Sequence, residues 1–417
     1  MKSVLYLTYD GLTDPLGQSQ ILPYLIELSK ANFEITIISF EKKAPFNKIK
    51  HLIEQKCKEA SITWAPLIFH TKPPLLSKWY DRFALKRLAI NLHKTSNFSM
   101  VHCRSYVASE VGLYFKKKLN VPFLFDMRGL WADEKVDCGQ WDLKKWWYKK
   151  IFTHYKNLEK EYILNAAQII SLTFKGKDEL FKLYGAALTK SNQTLEKKCT
   201  IIPTCADFNI FNYKNISVED QISLRKKLNI LPNQIVLSYS GSLGGWYMLN
   251  EMLLFFKAFK MKHPNAIFLF LTRDKKIIEN AITQNLINQE DVVIHFSQKE
   301  ELPLCLSLSK YSVFFISPYY SKLASSPTKH AELMGLGIPV FCNDIGDTGK
   351  LMNENNIGEL VDISRGSNFE KNIENMNKKI FNKEEIAEVG KKYFDIKNGV
   401  KSYLSVYNKI LNSIEKI

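Results

Sequence analysis

No stretch of this chain stays apolar for the ~18 residues that a membrane-spanning helix requires, and the opening run ending at Tyr9 is broken by Asp10 and Gly11 too early for a signal peptide. The expectation is a protein that stays in the cytoplasm. Its seven cysteines are scattered singly without a Cys-x-x-Cys pair, which argues against a disulfide framework and a structural zinc site. There is no Asp-x-Asp metal motif, and none of the eight histidines forms a dyad or triad with Ser or Cys, so hydrolase chemistry has little support. Internal repeats and low-complexity tails are also lacking. Acidic residues are scarce in one half only. Residues 1–200 hold 32 Lys and Arg against 19 Asp and Glu, whereas 201–417 hold 26 against 23. A basic first half suits an anionic membrane face, a pyrophosphate-bearing lipid or nucleic acid, but no nucleic-acid-binding module is present. A lysine-rich composition with no partner would give the same surplus.

What is present is 417 residues, more than one core usually fills, with short apolar runs alternating with helical periods. Strands are read at 4–9, 33–40, 100–103, 122–126 and 168–172, with helices at 20–30, 109–119, 145–165 and 177–184. The series restarts after Phe211, with strands at 235–240, 266–271, 292–296, 311–317 and 339–343. Helices are read there at 248–262, 275–286, 300–310 and 328–336. This predicts an α/β protein of two doubly wound parallel sheets. Residues 1–204 form the first domain and 205–396 the second, with 202–211 as hinge and a final amphipathic helix over 397–417.

The most informative segment is 325–340, Ser-Ser-Pro-Thr-Lys-His-Ala-Glu-Leu-Met-Gly-Leu-Gly-Ile-Pro-Val. After a strand-like run, Ser326, Pro327 and Thr328 supply helix-start chemistry, and free N–H groups there would face an anion. Glu332 lies about one turn on, placed to accept hydrogen bonds from a ribose diol. A nucleotide-linked ligand is implied. Gly241, Ser242 and Gly244 follow a strand and precede a helix, where backbone can approach a phosphate, although a plain βα turn reads the same way.

This segment resembles the donor-site motif of glycosyltransferase family 4, the retaining group 1 enzymes of GT-B fold. Similar motifs recur in order: Asp10 to Gln20 (Asp-Gly-Leu-Thr-Asp-Pro-Leu-Gly-Gln-Ser-Gln), Asp126-Met127-Arg128-Gly129-Leu130-Trp131-Ala132-Asp133-Glu134, Ile202 to Asp207 with Phe211, and Tyr239 to Gly244. The likeness implies two Rossmann-like domains facing across a cleft, the last helix returning to the first domain. It also implies transfer of a sugar from a nucleotide-sugar donor to a glycan or polyprenyl-linked acceptor in bacterial surface polysaccharide synthesis, with retention, and with neither metal nor cofactor. Asp126, Arg128, Lys329 and Glu332 are the candidate catalytic residues. Gly17, Arg273, Ser326, Pro327 and Thr328 join the Gly241 turn, Lys329 and Glu332 at the donor; Gln18, Arg104, Asp133 and Glu134 stand on the acceptor side. Two departures stand out. Trp246 and Tyr247 occupy the place of the usual phosphate-binding Arg and Lys, so charge would come from Lys329, Arg273 or Arg128. Ala324 replaces the first of two spaced acids. These departures leave open a non-catalytic GT-B module that binds sugar nucleotide or glycan, and an epimerase of GT-B fold is a further alternative.

Two basic stretches are rich in aromatics: 144–150 sets Trp146, Trp147 and Tyr148 among four lysines, and 72–94 interleaves Trp79, Tyr80 and Phe83 with Lys78, Arg82, Lys86 and Arg87. One reading places them at a lipid headgroup interface; the other turns the aromatics into the core while the lysines solvate the outer face.

Overall fold

The computed structural model describes residues 2–364 and 369–414. Contacts divide the chain into one unit of Met1–Pro203 with Lys397–Ile417, and another of Thr204–Ile396. The helix Ile396–Ile414 occupies the place read for the final helix, and residues 415–417 lie outside the described residues.

The first unit is a seven-stranded parallel sheet: β1 (Lys2–Thr8), β2 (Phe33–Glu41), β3 (Thr63–Ile68), β4 (Met100–Arg104), β5 (Phe123–Asp126), β6 (Gln168–Ser171) and β7 (Cys199–Ile201), in the order β3-β2-β1-β4-β5-β6-β7. Val4, Leu5 and Leu7 on β1 and Phe123, Leu124 and Phe125 on β5 are fully buried, as strands covered by helices on both faces require. Strand order reverses between β1 and β4, so the crevice beyond their carboxyl ends is the place where such a sheet takes ligands.

The second unit repeats the plan with six parallel strands: β8 (Ile235–Ser240), β9 (Ala266–Leu271), β10 (Val292–His295), β11 (Tyr311–Phe314), β12 (Val340–Cys342) and β13 (Gly358–Leu360), ordered β10-β9-β8-β11-β12-β13. Its core is aromatic. The Phe255 ring lies 4.7 Å from Phe341 and 5.6 Å from Phe315, an arrangement in which Phe255→Ala would cost about 3–5 kcal/mol. Here the order reverses between β8 and β11, which puts the Gly241 turn and the chain leaving β11 at one crevice.

Candidate functional site

In the second unit, β8 runs straight into the glycine turn. Gly241, Gly244 and Gly245 have φ of 113°, 90° and 63°, so these positions are glycine because the backbone is left-handed, whatever else the turn does. Asp274 braces the turn by accepting from the Leu243 N–H at 2.7 Å, and the Tyr239 hydroxyl donates to the Ser242 carbonyl at 2.7 Å. A cavity of about 510 Å³ opens beside it, lined by Gly244, Tyr247, Met248, Asn250, Gln284 and Ser317 among others; Lys329 and Glu332 do not line it.

The chain leaving β11 reaches the helix Thr328–Gly335 as expected. Pro327 is the N-cap residue and no side chain caps the helix. The Ser326 hydroxyl is taken up by Thr204, whose N–H and hydroxyl lie 3.3 and 3.0 Å from it, so Ser326 anchors the loop. Pro327 presets the entry angle, which leaves Ser326 to a partner that local sequence does not show.

Lys329 is the unusual residue of this site. It is only 8 % exposed, and its Nζ has no hydrogen-bond partner among the described residues. The ammonium lies 3.6 Å from the Tyr247 ring centroid and 3.9 Å from that of Tyr239, and a Cβ built on Gly241 would stand 3.3 Å from it. Lys322 sits likewise 3.4 Å from the Trp246 ring. Trp246 and Tyr247, the two aromatics that follow the glycine turn, therefore lie against cations from another part of the chain. Burial holds Lys329 well below the usual lysine range, although Glu332 pulls the other way. Burial also pushes the Glu332 carboxyl up to about 7, against the pull of Lys329 and Lys299. Arg273 is exposed, its guanidinium 4.5 Å from the Phe296 ring, and it lines a different cavity with Asp274 and Lys275.

In the first unit the candidates sit at the ends of β1, β4 and β5. Asp126, read as a candidate catalytic residue, is only 1 % exposed. Its Oδ2 accepts from Tyr403 at 2.9 Å and His102 at 3.3 Å, with Arg104 3.9 Å away. Its Oδ1 lies 3.8 Å from Arg128 and has no hydrogen-bond partner among the described residues. Burial would raise this carboxyl, but Arg128, His102 and Arg104 outweigh it and hold it at about 2. Arg104 donates to Asp10 at 3.3 Å, and Arg128 holds a left-handed backbone of φ 58°, uncommon for a residue with a side chain. Asp126 thus lies beneath two arginines and positions them.

Asp133 is held by Lys156, which donates to it at 2.9 Å and to the buried Glu159 at 2.6 Å, both from the helix Trp146–Asn165. Glu134 is half-buried on the next position of the same helical turn. Gln18 donates to the Thr13 carbonyl at 3.2 Å. Gly17 allows a close approach, but to its own chain. An added Cβ would fall 2.0 Å from the Gly11 oxygen and 2.6 Å from the Leu12 Cα, both backbone. Gly17→Ala is expected to push the Asp10–Gln20 loop out of place, lowering the melting temperature by several degrees with no ligand present; unchanged melting would show that the loop yields easily.

Reading the sequence missed Glu41, at the end of β2. Its buried carboxylate accepts from the Leu12 and Thr13 N–H groups at 2.8 and 3.0 Å and from the hydroxyls of Thr13 and Ser39 at 2.5 and 2.6 Å, holding the loop that Gly17 packs against. Only an acid at the end of a largely apolar strand hinted at it.

Residues 220–392 match the family model for glycosyl transferases group 1. Curated proteins supply no match. Among solved structures, Anabaena HepE in complex with UDP and glucose superposes with a TM-score of 0.68 at 14% identity, covering 98% of this chain and 100% of that one. Sucrose-phosphate synthase from Thermosynechococcus elongatus gives 0.71 at 14%, covering 99% and 100%. A glycosyltransferase from Rickettsia africae gives 0.64 at 15%, covering 98% of each. At these identities the superpositions establish the fold, two Rossmann-like domains of GT-B type. The match to the group 1 glycosyl transferase model takes in the Thr328–Gly335 helix with its lysine and acid.

Proposed function

We propose that the protein transfers a sugar, with retention of anomeric configuration, from a nucleotide-sugar donor to a hydroxyl of a glycan or lipid-linked glycan in surface polysaccharide synthesis. The observation that carries the donor assignment is Lys329: a buried cation without a hydrogen-bond partner, on two aromatic faces at a helix start, is a site prepared for an anion. The family match over residues 220–392 supports sugar transfer as the reaction. In this reading Lys329 and the Thr328 N–H stabilise the departing nucleoside diphosphate, and Glu332 accepts from its ribose. Negative charge developing on the leaving phosphate then meets fixed positive charge in a site largely closed to water. Front-face attack, with the leaving phosphate taking the acceptor proton, needs no protein nucleophile. Arg104 and Arg128, held by Asp126, are assigned to the acceptor, and the role of Asp126 becomes one of positioning.

The test is a turnover screen of sugar nucleotides with lipid-linked and free glycan acceptors, with the product anomer assigned by NMR. An inverted anomer would remove retention, and conversion of the sugar nucleotide with no acceptor would replace transfer by epimerisation. Nucleotide affinity should also depend on pH in a particular way. It rises as Glu332 ionises, between about pH 6 and 8, and falls at higher pH as Lys329 loses its proton. Calorimetry on Glu332→Gln should show the first limb flattened and the second retained; an unchanged acid limb would take Glu332 out of the ribose role.

A further inference from the structure

We propose that the first unit carries a docking surface for an anionic lipid bilayer, built from the first turns of two helices, Pro74–Ser96 and Trp146–Asn165. This inference rests on the surface of that unit alone and needs no transfer reaction. The Pro74–Ser96 helix turns Ser77, Asp81, Leu85 and Ala89 inward, a buried row with a four-residue repeat. Its outward row, where a surface helix is ordinarily polar, instead begins with Leu76, Trp79, Tyr80 and Phe83, and Trp79 is 70 % exposed. Trp79 and Phe83 stack on each other at 6.2 Å, so the two rings form one apolar platform facing water. Arg87 and Asn91 continue the same row as exposed polar residues, which confines the platform to the helix start.

A second cluster begins the other helix. Trp146 is 63 % exposed, and Trp147 and Leu143 are exposed beside it. Lys150 stands 4.7 Å from the Trp146 ring and Lys145 5.9 Å from that of Trp147. Arg82, next to Phe83, hydrogen-bonds the Tyr155 hydroxyl and lies 5.5 Å from its ring, tying the two helices together. The aromatics of the two basic stretches therefore do not face the core, apart from a half-buried Tyr148.

Charge selects the occupant. Residues 143–154 contain four lysines and no acid, with one exposed acid, Asp142, ahead of them; in 72–80, which holds no acid, Lys72 is exposed, whereas Lys78 is half-buried and donates to the His70 carbonyl at 2.9 Å. Asp81 at the edge of the second stretch is fully buried and accepts from Tyr9 at 2.8 Å, with His70 at 2.7 Å, so it does not neutralise the outer face. Tryptophan and tyrosine with lysine suit the headgroup layer, where rings reach the acyl boundary and ammonium groups meet lipid phosphate. Near an anionic surface each such lysine adds about fivefold to partitioning.

The test is co-sedimentation of the full chain with phosphatidylcholine vesicles with and without phosphatidylglycerol. Expected is binding to the phosphatidylglycerol vesicles that weakens with salt, with tryptophan fluorescence quenched by brominated lipid. Trp146→Ser with Trp147→Ser, and separately Trp79→Ser with Phe83→Ser, should each lower partitioning about tenfold or more, leaving melting and nucleotide binding unchanged. Wild-type protein that stays in the supernatant with phosphatidylglycerol vesicles, or variants that bind as well as wild type, would overturn the proposal. A dimer in sedimentation equilibrium that the same variants dissolve would assign the face to a second copy instead.

Discussion

Replacing Lys329 with methionine is expected to raise the stability of the protein while removing nucleotide binding. The two effects have one cause. In the folded chain the ammonium is desolvated without a hydrogen bond, and its contacts with Tyr239 and Tyr247 return only part of that cost. An apolar side chain of similar volume avoids the penalty, so unfolding free energy should rise by about 1–2 kcal/mol, or about 2–6 °C in melting temperature. The same change removes the cation assigned to the donor phosphates, and kcat/KM should fall about 10²–10³-fold. Stability and activity moving in opposite directions is the signature of a site strained toward its ligand. A structural lysine would give a variant that is less stable, or one equally active. Thermal melts with and without nucleoside diphosphate separate these cases.

The second large effect belongs to Asp126. Asp126→Ala should cost about 3–5 kcal/mol, because it leaves Arg104 and Arg128 without their shared carboxylate and strips His102 and Tyr403 of an acceptor. The acid limb of stability gives an independent check. A carboxyl held at about 2 in the folded protein against an ordinary 3.8 contributes stability that is complete above the ordinary value and is lost as pH falls toward 2. That contribution is about 2 kcal/mol. Asp126→Asn should lack this dependence while keeping much of the packing. Tyr403→Phe should cost about 1 kcal/mol on its own and less in the Asp126→Asn background, since the two groups share one hydrogen bond. If Asp126→Ala melts like wild type, the cluster at the ends of β4 and β5 is not the support inferred for the acceptor-side arginines.

Much of the architecture was legible because parallel strands buried on both faces read as unbroken apolar runs, as β8, β9 and β11 do. The strands missed have physical reasons. β3 is an edge strand carrying Pro66, its side chains only half-buried beyond Thr63, while β7 and β13 are three residues long and β13 begins with a glycine of φ 155°. The Pro74–Ser96 helix escaped notice because its first turns are apolar on the outer face as well as the inner, so no helical period stands out. In the site, the positions of Lys329 and Glu332 followed from spacing along one helix. What holds the site could not follow, because Asp274 on the Gly241 turn, Thr204 on Ser326, Glu41 on the first loop and Tyr403 on Asp126 all come from distant segments. Trp246 and Tyr247 read as a loss of charge, and only the three-dimensional arrangement shows lysines against them.

In the reading proposed above, the second unit holds a nucleotide through Lys329 and Glu332. The direct measurement is isothermal titration of uridine, guanosine, adenosine and thymidine diphosphates into the full chain and into its Lys329→Met and Glu332→Ala variants. One nucleoside diphosphate is expected to bind the wild type, and each variant, still folded, to lose about 10²-fold or more in affinity. Equal affinity in wild type and both variants would contradict that reading, as would a folded wild type that binds none of the four.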